Sequence, residues 1–141
     1  MFKKFFKKKD EKTDTNSSML IAALLIHAAK IDEYYTNSEK EIIKKALINL
    51  NLTKLNEVEK LLNIAEEKEK ESNQIIEFTR EIKNNPMEFR LKIIEILWKI
   101  VYSDTNNNNY ESNLIRRICG LLYVSDKDSG LIKEKIIKSI K

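Results

Sequence analysis

From Ser17 onward, apolar residues return every three or four positions, the spacing that places them on one face of an α-helix. A first helix is expected from an N-cap at Ser17 or Ser18 to about Ile31. It is apolar on nearly every side, as suits a helix enclosed by others. Thr36-Asn37-Ser38-Glu39 has the spacing of a capping box and opens a second helix carrying Ile42, Ile43, Ala46, Leu47 and Leu50. A third is expected from near Thr53, with Leu55, Val58, Leu61, Leu62 and Ala65, ending in Glu66-Glu67-Lys68-Glu69-Lys70-Glu71, which reads as a solvated helical face. A fourth follows Ser72 with Ile75, Ile76, Phe78 and Ile82, and Asn84-Asn85-Pro86 stops it. Pro86 then suits the first position of a fifth helix reaching about Ser103, with Asn85 as cap and Glu88 completing the box. A sixth is expected from about Asn109 to Leu122. Ser125-Asp126-Lys127-Asp128 opens a seventh, with Leu131, Ile132, Ile136, Ile137 and Ile140 on one side.

The pattern repeats. A shift of 72 positions pairs Leu25 with Leu97, Ala28 with Ile100, Asp32 with Asp104, Glu39 with Glu111, Ile42 with Leu114, Ile43 with Ile115, Leu50 with Leu122 and Thr53 with Ser125, without a gap. Two apolar helix pairs joined by the same acidic spacing describe a duplicated helical hairpin. The expected fold is all-α, about seven helices, with the two hairpin motifs related by a pseudo-twofold and the first and fifth helices inside.

Composition agrees with that class. Only two glycines and one proline occur in 141 residues, which leaves little material for hairpin turns between strands. A chain of this length fits one domain, here 18–141 behind a tail and linker at 1–17. One cysteine, Cys119, rules out an internal disulfide; its place on an apolar helix face makes it a core residue. The longest apolar run is about half of the roughly 20 residues a membrane span requires, and no signal-peptide core is present. A cytoplasmic location is expected, with contact at the inner face of the membrane as an extension of it.

The net charge of +4 is uneven. Lys3, Lys4, Lys7, Lys8 and Lys9 lie in the first nine residues; without them, 21 basic side chains face 22 acidic ones. The body therefore lacks the basic excess that nucleic-acid binding calls for. The tail interleaves its lysines with Phe2, Phe5 and Phe6. Each lysine near an anionic bilayer contributes about 1 kcal/mol and phenylalanines can enter the interface, so residues 1–9 suit peripheral membrane contact. They equally suit a solvated end, or a turn packed back on the domain.

The acidic turns carry the candidate chemistry. In each copy an aspartate follows an apolar helix and a glutamate enters the next: Asp32 with Glu39, and Asp104 with Glu111. Hard carboxylate oxygens beside loop carbonyls suit a divalent cation, Ca²⁺ or Mg²⁺. Asp104, Asn106 and Asn108 match the first ligands of an EF-hand loop, but Asn109 replaces its glycine and Ile115 its closing glutamate. The other reading needs no metal. Glu39 and Glu111 fit the third position of capping boxes, worth about 0.3–1 kcal/mol at a helix N-terminus, and the aspartates can accept backbone N–H bonds in the turn. An enzyme is not expected: the single His27 and Cys119 fall on different helices, and glycines at 120 and 130 alone cannot form a phosphate loop.

These residues resemble the TerB-like family, named for bacterial tellurite resistance. The likeness runs from about Ser18 to Lys138: Ala22 to Asp32 followed by Glu39, Phe78-Thr79, then Leu97-Trp98-Lys99-Ile100-Val101-Tyr102-Ser103-Asp104 followed by Glu111, Leu114 to Ile118, and Leu121 to Asp128. The resemblance implies a helical domain with duplicated motifs and no established enzymatic activity, in a family proposed to bind metal ions through its acidic residues and to act with membrane-associated stress-response partners. The family's Asp-Gly…Glu pattern falls on Asp32 and Glu39, and on Asp104 and Glu111. The glycine is Glu33 in one copy and Thr105 in the other, so the tight turn that glycine permits is altered in both. Two functions remain in view: a cation-binding module within a stress-response or envelope-associated complex, and a metal-free adaptor whose surface docks on a protein partner or membrane.

Overall fold

The computed structural model describes residues 17–31, 35–72, 75–103 and 109–140. Seven helices and no strand are found among them: α1 (17–29), α2 (Asn37–Asn49), α3 (Val58–Glu71), α4 (Ile76–Lys83), α5 (Met87–Tyr102), α6 (Asn109–Leu122) and α7 (Asp126–Ile140). None of the described helices is long and apolar enough to cross a membrane.

The core is built on α1 and α5. From Leu20 to Ala29 every residue of α1 except His27 is buried, so the helix has almost no solvent face. On α5, Ile93, Ile94, Ile96, Leu97, Trp98, Ile100 and Val101 are buried. Helix α5 packs against α2, α4, α6 and α7, and α4 closes on α6. Phe78 and Ile82 of α4 and Ile118 and Leu122 of α6 complete this interior. Each such side chain contributes about 1.5–3 kcal/mol by leaving water. Cys119 is buried among them, and burial pushes its thiol pKa up, as befits a packed residue and not a reactive one.

The duplication is visible in backbone detail. Helices α2 and α6 begin 72 positions apart. Among the described residues, the two non-glycine residues with positive φ, Asn51 (61°) and Tyr123 (57°), are also 72 apart. Each closes a Schellman motif, in which the chain reverses and returns its amides to the last helical carbonyls. Leu52 N–H donates to Leu47 O at 3.0 Å and Asn51 N–H to Ile48 O at 3.0 Å; Val124 N–H donates to Cys119 O at 2.9 Å and Tyr123 N–H to Gly120 O at 3.4 Å. A first-turn side chain ties each of these ends to the start of the buried helix. Ser18 Oγ donates to Leu52 O at 3.0 Å, and Arg90, 72 positions on, donates to Leu122 O at 2.8 Å.

Asparagine tolerates the left-handed conformation; tyrosine does not gain from it. Tyr123 is exposed, with Lys83 over its ring at 5.5 Å. Tyr123→Gly is therefore expected to stabilise the fold by about 0.5–1 kcal/mol in urea denaturation, with Asn51→Gly gaining less. Loss of stability at Tyr123→Gly would mean that the ring contact outweighs the backbone strain.

Several expected boundaries shift. The third helix starts at Val58, because a turn closed by Glu57 N–H on Lys54 O at 2.9 Å precedes it, and Leu55 stands exposed instead of joining the core. Ser18 lies inside the first turn of α1, so its hydroxyl serves Leu52 and not a cap. Asn85 does not cap α5. Its amide donates to Glu81 O and Ile82 O, finishing α4, and Pro86 takes the N-cap place of α5 with no side-chain capping bond. On α7, Leu131 and Ile76 of α4 are both exposed, whereas Ser129 is buried and accepts a hydrogen bond from Trp98 Nε1 at 3.0 Å.

Candidate functional site

The connection between α1 and α2 is where the acidic pattern meets a third element. Helix α1 ends as Lys30 N–H donates to Ile26 O at 2.9 Å. Helix α2 starts at the N-cap Thr36, whose capping box is complete. Glu39 N–H donates to Thr36 Oγ1 at 3.1 Å, and Thr36 N–H and Oγ1–H both donate to Glu39 Oε1, at 2.8 and 3.0 Å. Glu39 is only 1% exposed. A buried carboxylate is costly unless bonded or matched by charge, so this glutamate does more than decorate a helix start.

The C-terminal half of α3 forms the wall opposite. Lys30 Nζ donates to Glu69 Oε1 at 2.7 Å, and His27 Nδ1 lies 3.1 Å from Glu69 Oε2, a bond that the ring donates when Nδ1 carries a proton. Tyr35 hydroxyl donates to Glu66 Oε2 at 2.9 Å. Lys40 stands 3.8 Å from Glu66 and 4.9 Å above the Tyr35 ring. Burial pushes the Glu69 carboxyl up, but the bonds from Lys30 and His27 outweigh it and hold the group below its ordinary pKa. The Tyr35 phenol is driven far up: by burial first, then by its bond to Glu66, then by the charges of Glu66, Glu39 and Glu69. Three carboxylates therefore act on one phenol.

The end of α3 is thus not the solvated face its charge run suggested. Glu66 and Glu69 are largely covered because they continue the buried stripe of α3, one turn beyond Leu62 and Ala65. That periodicity, extended past the last apolar residue, is the sequence signal for them. The wall belongs to one copy: 72 positions on, Glu66 and Glu69 correspond to Lys138 and Lys141.

Of the four carboxylates expected to hold a cation, Glu39 is placed as described. Asp32 and Asp104 lie outside the described residues, and so does the side chain of Glu111, whose backbone occupies the third position of α6 as Glu39 does in α2. Among the described residues, no three or more His, Cys, Asp or Glu side chains are grouped to hold a metal ion. At this connection Glu39 is bonded by Thr36, Glu66 by Tyr35 with Lys40 beside it, and Glu69 by Lys30 and His27.

A duplicated all-helical module, buried on its first and fifth helices and acidic at one hairpin connection, defines the class of this protein. The family model for tellurite resistance protein TerB matches residues 18–134, and the chain belongs to that family. Comparisons with curated proteins and with solved structures gave no match.

Proposed function

We propose that the chain is a non-enzymatic TerB-like module that takes one divalent cation at the connection between α1 and α2 and acts in a bacterial stress-response or envelope-associated complex. The observation that supports this most is the Tyr35 hydroxyl bonded to Glu66 at 2.9 Å and raised in pKa also by the charges of Glu39 and Glu69, beside a connection whose sequence adds Asp32 and Glu33. Like charges gathered beside one connection repel. Lys30 and Lys40 offset part of this wall, and a hard cation on Asp32 and Glu39 would offset the rest. The second turn, Asp104 with Glu111, is the weaker candidate, because the sequence carries Lys138 and Lys141 at the positions 72 on from Glu66 and Glu69.

The test is thermal unfolding of the full chain with Ca²⁺, Mg²⁺, Mn²⁺ or Zn²⁺. A cation at ten times its Kd stabilises by about 1.4 kcal/mol, which Asp32→Asn should abolish and Asp104→Asn should leave in place. No shift with any of the four at millimolar concentration would overturn the reading.

The capping box favours a second reading. Glu39 already has work to do without a metal, so the module can be an adaptor, with residues 1–9 adding contact to an anionic membrane or partner. Under that reading metal leaves the melting temperature unchanged, while removing residues 1–9 weakens binding to phosphatidylglycerol vesicles.

A further inference from the structure

A groove runs between α2 and α5, away from the acidic connection. Its volume is about 330 Å³, and Ile42, Ala46, Leu50 and Ile96 form its floor. Past Leu50 and Lys92 it leads into a second hollow of about 330 Å³ that reaches Pro86 and Phe89. The rim carries Lys45 on α2 and Lys92 and Lys99 on α5, all exposed. Lys45 and Lys92 have no ion-pair partner among the described residues, and Lys99 has only Glu95 at 3.8 Å on its own helix. The adjacent Lys44, by contrast, pairs with both Glu41 and Glu59. Glu95 also lines the groove and Glu88 the adjoining hollow, so three lysines meet two glutamates and the rim keeps a positive balance over an aliphatic floor.

We propose that this groove docks an acidic amphipathic helix of a partner protein. Lys92 and Lys99 are two turns apart on α5, about 10 Å, with Ile96 between them. A helix laid along α5 with carboxylates two turns apart, and apolar side chains in the intervening turn, matches both features at once. Charge complementarity across the rim selects the sign of the partner and speeds its encounter. The chain's own basic tail does not fit, since its lysines would meet lysines. A bilayer does not fit either, because the apolar floor is recessed between two helices and the rim carries Glu95 and Glu88 beside its lysines.

The test is fluorescence anisotropy of the full chain with a panel of labelled helical peptides. These present leucines at i, i+3 and i+7 flanked by glutamates in each register, beside a set with lysine in place of glutamate. An acidic peptide should bind saturably, the lysine set should not, and Lys92→Glu with Lys99→Glu should weaken binding by about tenfold or more. Lys127→Glu with Lys135→Glu, exposed on α7, makes the same charge change away from the groove and should weaken it by less than about threefold. Circular dichroism checks that all variants are folded. The proposal is overturned if no acidic peptide binds, if the lysine set binds as well, if both double variants lose affinity equally, or if only phosphatidylglycerol vesicles respond to the groove variant. It does not rest on the cation reading: its readout is peptide affinity without added metal.

Discussion

Replacing Glu39 by alanine is expected to destabilise the protein by about 2–3 kcal/mol, lowering the melting temperature by roughly 10 °C. The carboxylate is 1% exposed and receives two hydrogen bonds from Thr36, one from the backbone and one from the hydroxyl. A bond to a charged acceptor is worth about 1.5–3 kcal/mol. Thr36 is exposed, so water can replace part of what its N–H loses, which keeps the total below the sum of the two. Removal also frees the carboxylate's own desolvation cost, a second offset. The alanine variant remains folded if the global stability lies in the usual range of about 5–15 kcal/mol. A loss below about 0.5 kcal/mol would mean that this carboxylate does not hold the start of α2.

Glu39→Gln separates capping from charge. Glutamine also serves in capping boxes, so its oxygen can keep both Thr36 bonds, and the cost should stay below about 1 kcal/mol. Under the cation reading the same variant retains its metal-free melting temperature and loses the shift on adding Ca²⁺. Under the adaptor reading it changes neither. One substitution thus distinguishes the two functions without disturbing the fold that both require.

The hairpins were legible because local chemistry and long-range pattern agree. Thr36-x-x-Glu39 names the start of α2, and the 72-residue shift carries that start to Asn109, where α6 begins. Elsewhere one residue type fits two roles and only packing chooses. Asn85 before Pro86 can cap the following helix or finish the preceding one. It finishes α4 because its amide reaches Glu81 O at 3.0 Å. Leu55 looks like core by type, but the Schellman turn at Asn51 sends the chain into a second turn that leaves it on the surface. Ser129 looks like surface by type, but it lies three and seven positions before Ile132 and Ile136, on the side of α7 that meets Trp98. Glu66 and Glu69 are marked only by the α3 period, four positions beyond Leu62 and Ala65, and their charge run reads as a solvated face until a lysine from another element is placed against it. Of the candidate site, the capping half was readable from residue type, and the wall from α3 only from that period.

The second large effect is pH-dependent. Glu69→Gln is expected to cost about 1–2 kcal/mol at pH 7, and Glu69→Ala about 2–3 kcal/mol. The glutamate holds Lys30 at 2.7 Å and His27 at 3.1 Å, and its side chain is 11% exposed, against 35% and 29% for its partners. Because both partners reach water, the loss falls below the 3–5 kcal/mol typical when a fully buried pair is broken. The folded-state pKa lies below the unfolded value, so Glu69 binds fewer protons in the native protein. Its contribution is complete above the unfolded carboxylate pKa of about 4.3 and disappears as pH falls through the lower folded value. Plotted against pH, the melting temperatures of the wild type and Glu69→Gln should stand apart above the unfolded carboxylate pKa of about 4.3 and converge as pH falls further into the acid range. Salt at about 0.5 M should narrow the gap at neutral pH, since solvent and ions reach Lys30. Curves that stay parallel through the acid limb would show that the Glu69 charge does not join α1 to α3. Curves that converge make Lys30 and His27 the ion-pairing end of the most buried helix, and Glu69 the carboxylate that joins that end to α3.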